Sequence, residues 1–173
     1  MKNRIVQYLV STVWRLGSLW AGFLVAMLPL YIVRGAYHDT ATKATLENIV
    51  TLLFLLVVSV IVMFFVYRSN DEAAKYDTKE LIGMLIVPVI IHFVLCAVLC
   101  WSKVSYLLLS EGYAFARLVA PGASDITKQP AWSVLVAALV VTPVPSLGVY
   151  LGCLSARRKR KKGLAALHET KST

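Results

Sequence analysis

The apolar segment that opens at Ala131 stops abruptly at Arg157, Arg158, Lys159, Arg160, Lys161 and Lys162. A run of more than twenty apolar residues closed by six consecutive cations matches a bilayer, whose hydrocarbon core is about 30 Å thick and whose anionic inner leaflet retains Lys and Arg. Three earlier runs, placed at residues 16–33, 49–67 and 81–101, have comparable lengths. At about 1.5 Å per residue, the second reaches roughly 28 Å. Only Thr51 and Ser59 interrupt it as small polar residues.

Composition agrees with that pattern. Charged residues make up 16% of the chain, and mean hydropathy is +0.71; soluble domains carry roughly 25% charge. The expected fold is an all-α integral membrane protein with four transmembrane helices. Residues 1–15 form an interfacial lead-in, residues 16–154 the membrane domain with its fourth span at 131–154, and residues 155–173 a basic tail. The start resembles a signal peptide in its basic first residues. However, Arg15 interrupts the run and Arg34 stands where a cleavage site wants a small residue, so the expectation is an uncleaved first span.

The formal charge of +9 would suggest nucleic acid if it formed one face of a soluble fold. Here the cations sit at span ends, and no nucleic-acid partner is expected. With four spans, thirteen Lys and Arg fall on one side and five on the other; without the basic tail the balance is six against five. The bias predicts an N-in, C-in topology with both termini cytoplasmic, in a plasma membrane of the bacterial inner-membrane kind. The six cations at 157–162 are read as a topology lock and a contact for anionic lipid headgroups, at about 1 kcal/mol per charge near the surface.

Inside the spans, small and broken positions carry most of the information. Arg4, Gln7, Ser11, Arg15, Ser18, Gly22 and Ala26 share one helical stripe that should face protein or headgroups. Its Ser18, Gly22 and Ala26 form a ridge for close helix packing, and Gly148 with Gly152 makes a GxxxG pair of the same kind. In the third span, Pro88, His92, Cys96 and Cys100 lie four apart, with His92 near mid-span. Pro88 cannot donate to the Met84 carbonyl and should kink the helix. An ionisable residue at that depth is a functional hypothesis by default.

In the fourth span, Pro143 and Pro145 deprive the Leu139 and Val141 carbonyls of helical partners where no water is at hand. The expected substitutes are the Thr142 or Ser146 hydroxyl, a neighbouring helix or a trapped water. The connection at 102–130 is expected to hold a short amphipathic helix on the outer surface, with Tyr106 and Tyr113 at headgroup depth. Between spans two and three, Ser69 and Glu72 fit a capping box for a helix beginning there.

No metal site is expected. His92 and Cys100 stand about 12 Å apart along the helix, whereas zinc ligands lie within about 2.3 Å of the ion. The three cysteines, Cys96, Cys100 and Cys153, do not form a disulfide framework. No Asp or Glu lies in any proposed span, and no phosphate loop, metalloprotease helix or serine nucleophile motif is present, so neither an enzyme nor a cofactor is expected. Two readings remain. One is a noncatalytic subunit or assembly factor that packs against a membrane-protein partner or its own copies. The other is a small oligomeric transporter or pore, including a holin-like one, with a midplane site built from Pro88, His92, Thr142, Pro143 and Pro145.

Overall fold

The computed structural model describes residues 4–36, 40–102 and 131–171, and every regular element in them is helical. In chain order these are α1 (Arg4–Ala36), α2 (Thr40–Arg68), a single 3-10 turn (Ala73–Lys75), α3 (Thr78–Ser102), α4 (Ala131–Val141) and α5 (Pro145–Lys171). Among the described residues, four stretches, Arg4–Val33, Thr42–Arg68, Thr78–Val98 and Trp132–Ala165, are long and apolar enough to cross a membrane. The last runs through both α4 and α5. The amphipathic helix expected in the connection after α3 lies outside the described residues.

Contacts between named residues fix the direction of each helix. Tyr67 of α2 donates to Ser11 of α1, and Gly22 of α1 meets Leu55 of α2, so these two helices run antiparallel. Arg4 pairs with Glu80, and Arg15 reaches Met84, so α1 and α3 run the same way. Gly148 and Gly152 of α5 meet Val60 and Phe64 of α2 in the same order, so α5 runs with α2. The starts of α1 and α3 and the end of α2 therefore share one end of the bundle, here called the terminal end. From there α5 continues as helix through the basic residues 157–162.

Helix α2 is the central member, and glycines set its distance from both neighbours. A Cβ on Gly22 would lie 2.6 Å from the Leu55 Cα; one on Gly152 would lie 2.7 Å from the Phe64 carbonyl oxygen; one on Gly148 would collide with the Val60 carbonyl oxygen. Backbone thus meets backbone on both flanks, the approach that small residues permit in lipid. Ser18 and Ala26 are buried on the same stripe of α1 as Gly22. The GxxxG pair and the small-residue ridge are consequently occupied within one chain.

Apolar packing follows the same arrangement. Met63, Tyr67, Leu81, Met84, Val149 and Cys153 form a cluster at the terminal end; Leu19, Leu55 and Val141 form one nearer the middle. Towards the other end, Cys96 packs on Val134, Ala137 and Ala138 of α4. Outward-facing ridges at every fourth residue, Ile82, Ile86, Ile90, Val94 and Val98 on α3, are each about half exposed. Such ridges would invite aggregation in water and suit contact with acyl chains.

The isolated hydroxyls within α2 are satisfied locally, Thr51 by the Glu47 carbonyl and Ser59 by the Leu56 carbonyl. The helix start between spans two and three differs from the expected one. Ser69 and Glu72 do not form the box; instead Asp77 accepts from the Glu80 amide at 2.6 Å, and Glu80 accepts from the Asp77 amide at 3.2 Å. These two carboxylates satisfy backbone donors that the first turn of α3 leaves free, and α3 begins at Thr78. The Ser69 region instead closes as turns, with Asn70 accepting from the Glu72 amide.

Candidate functional site

The proline within α3 and the proline break between α4 and α5 meet at a polar junction, and its centre is Arg15. Helix α1 is continuous through this residue, and its side chain is fully buried between α3 and α5. The guanidinium donates to the Ser146 hydroxyl at 2.7 Å, to the Met84 carbonyl at 3.1 Å and to the Leu85 carbonyl at 3.5 Å. Met84 is the residue whose carbonyl Pro88 cannot serve, because proline has no amide hydrogen. A donor from α1 therefore fills the vacancy that Pro88 leaves in α3, which runs as one helix through the proline.

Ser146 comes from the α4–α5 break. The peptide groups around Pro143 and Pro145 close as tight turns: the Val144 amide donates to the Val141 carbonyl, the Ser146 amide to that of Pro143, and the Leu147 amide to that of Val144. This satisfies Val141 without any side chain. It leaves the Ser146 hydroxyl free to donate to the Leu85 carbonyl at 3.2 Å while accepting from Arg15. One hydroxyl thus links α5, α3 and α1.

Energetically the junction is balanced rather than strongly stabilising. Placing an Arg within a membrane helix costs about 2.5–3.5 kcal/mol on insertion scales. Hydrogen bonds from a charged donor contribute about 1.5–3 kcal/mol each, and the two short ones here offset that cost. Its acceptors among the described residues are neutral, and the Arg15 Nε has no partner among them. The junction also lies off-centre: Leu85 is about 6 Å along α3 from Leu81, where the apolar run of that helix begins.

The other expected site residues are distributed around this junction. Pro88 and Pro145 are fully buried, whereas Pro143 lies exposed on the outside of the break. Thr142 is buried, and its hydroxyl has no hydrogen-bond partner among the described residues. His92 is fully buried on the stripe of α3 that carries Pro88 and Cys96, but seven residues beyond Leu85 place it about 10 Å further along the helix. It belongs to the level where α3 packs on α4, and the structure does not bring it to Arg15. Cys96 and Cys153 are buried on different helices, and no group of three or more His, Cys, Asp or Glu close enough to hold a metal occurs among the described residues.

Arg15 belongs to the stripe expected to face protein or headgroups, but to the lead-in at 1–15 and not to the expected midplane residues. Its stripe mates, Ser11 and Ser18, carried the signal, since both are buried beside it.

Towards the terminal end, the basic run divides. Arg157 turns inward and donates to the Tyr76 carbonyl at 2.5 Å, tying α5 to the connection between α2 and α3. Arg158, Lys159, Arg160, Lys161 and Lys162 are exposed. Tyr76 also lines a groove of about 220 Å³ with Ser11, Tyr67, Glu72 and Met84. Burial pushes its phenol up to about 12, with smaller raising effects from Tyr67, Cys153, Glu72 and Glu80. The folded value exceeds the ordinary 10, so between about pH 10 and pH 12 the unfolded chain loses a proton that the folded chain keeps. The contribution of the neutral phenol is complete below pH 10 and is lost as pH rises towards 12. Stability measured across that window should fall more steeply in the wild type than in Tyr76→Phe; identical slopes would show that Tyr76 is not the group responsible.

Compared with models of known protein families, with curated proteins and with solved structures, the chain matches none.

Proposed function

We propose that this chain is a noncatalytic component of a membrane complex, an accessory or assembly subunit with both termini on the cytoplasmic side of a plasma membrane. The observation that carries the reading is the use made of polar groups within the spans. Arg15, Ser146, Ser11 and Tyr67 bond across helices to one another or to backbone, and so act as fasteners between α1, α2, α3 and α5. A catalytic site would instead hold such groups towards a substrate. The orientation is supported by the cation bias towards the terminal end and by the basic continuation of α5.

The glycine seams change where a partner would bind. Gly22, Gly148 and Gly152 are spent on α2 of the same chain, so a partner helix would meet the outward apolar ridges. Purification in a gentle detergent from native membranes should yield a second membrane protein in fixed stoichiometry, while the purified chain in liposomes should pass no ions. Solute flux through the pure chain would overturn this reading.

A second reading, a small oligomeric transporter or pore, is favoured by one observation. Arg15 is a buried cation whose acceptors among the described residues are neutral, beside the first turn of a helix that restarts after a break. Half-helix starts of this kind bind anions in transporters, since the free amides and the helix dipole favour negative charge. Under this reading anion flux should disappear in Arg15→Leu, and His92→Ala tests whether the α3–α4 level contributes.

A further inference from the structure

At the terminal end, the end of α2, the 3-10 turn and the basic continuation of α5 enclose an open groove of about 380 Å³. Four cations line it, Arg68, Lys75, Lys159 and Arg160, against a single carboxylate, Asp71. Ala74 and Ala156 form its floor, and their small side chains leave the space between the cations unfilled. The Arg68 guanidinium is held over the Phe64 ring, 5.6 Å from its centroid, which limits its freedom and directs it at this level.

We propose that this groove is a binding site for the phosphate of an anionic phospholipid headgroup. Three features support a built site over a diffuse basic tail. First, the cations come from three separate segments of the chain, α2, the turn and α5. Second, only part of the basic run takes part: Lys159 and Arg160 line the groove, Arg157 is committed to the Tyr76 carbonyl, and Arg158, Lys161 and Lys162 are not among the lining residues. Third, two of the four cations are arginines, whose planar forks match phosphate oxygens in pairs. The groove opens where helices leave the apolar layer, so the phosphate most abundant at that depth belongs to lipid.

The proposal rests on the reading of this end as the one at an anionic leaflet, and its test is made in neutral detergent, where leaflet sidedness plays no part. Phosphatidic acid is titrated into the purified full-length protein and binding is read by native mass spectrometry, with phosphatidylcholine as the neutral control. Lys159→Ala/Arg160→Ala should weaken phosphatidic acid binding by at least about tenfold, whereas Arg158→Ala/Lys161→Ala, an equal loss of charge, should weaken it less than about twofold. All four residues are exposed, so both double variants should retain the wild-type melting temperature without lipid, which separates lost binding from lost folding. Glycerol 3-phosphate, which carries the phosphate without acyl chains, should not displace the lipid at matched concentration. Equal losses in the two double variants would overturn the proposal in favour of a diffuse cationic surface, and displacement by glycerol 3-phosphate would overturn it in favour of a soluble anion.

Discussion

Gly148→Leu should separate α5 from α2 and remove most of the folded protein. A Cβ at this position already meets the Val60 carbonyl oxygen, with the Met63 Cβ at 2.9 Å and the Phe64 amide nitrogen at 3.0 Å. Two of these three are backbone atoms inside a helix and cannot rotate away. Overpacking a well-filled interface costs about 1–3 kcal/mol when side chains can yield, and more where they cannot. The expected loss therefore exceeds about 3 kcal/mol, a large part of the 5–15 kcal/mol that typically holds a domain together. Thermal unfolding in detergent checks it. Gly163→Ala is the internal control: nothing lies within 4 Å of a Cβ there, and an interior helix position gains up to about 1 kcal/mol from alanine. Gly148→Leu and Gly163→Ala should therefore shift the melting temperature in opposite directions.

Arg15→Glu should have an effect of similar size for an electrostatic reason. The pocket that receives the guanidinium presents the Met84 and Leu85 carbonyl oxygens, both acceptors, with the Ser146 hydroxyl as its one recorded donor. A carboxylate placed there faces oxygen dipoles of its own sign, and it must either stay charged against them or take up a proton. The expected cost is at least about 3 kcal/mol, the scale for an uncompensated buried charge. Arg15→Leu should be milder. It gives up two good charge-assisted bonds, about 3–6 kcal/mol, but removes a desolvated charge worth about 2.5–3.5 kcal/mol, which leaves a net loss of about 1–2 kcal/mol. Unfolding of the purified variants distinguishes this order from a site that tolerates either substitution equally.

The number of spans could be read from the chain because apolar length is a local property: each run is long enough by itself, whatever packs against it. The partner of each motif could not be. Gly148 and Gly152 announce a close approach, but a GxxxG pair does not say which helix arrives, and here it is α2 of the same chain. Pro88 identifies the Met84 carbonyl as the group left without a donor, because that follows from helix geometry alone. The donor, Arg15, is 69 residues away in sequence, and only the tertiary fold brings it there. Arg15 directly precedes the expected first span at Leu16, and neutral acceptors from two other helices allow it to lie inside the bundle.

The helix start of α3 shows the same limit on a smaller scale. Ser69 with Glu72 and Asp77 with Glu80 both have the spacing of a capping box, and local sequence does not choose between them. The choice fits the wider packing: Leu81 and Met84 must reach the cluster around Met63 and Val149, and Glu80 must meet Arg4.

The central claim is that Arg15 serves the carbonyl that Pro88 abandons, so the two residues must be energetically coupled. A double-mutant cycle between Arg15→Leu and Pro88→Ala, read as unfolding free energy in mixed micelles, tests it directly. Pro88→Ala restores an amide donor to the Met84 carbonyl, and the cost of Arg15→Leu should then shrink by about 1 kcal/mol or more. Costs that add to within about 0.5 kcal/mol would contradict the claim, because independent sites behave in that way.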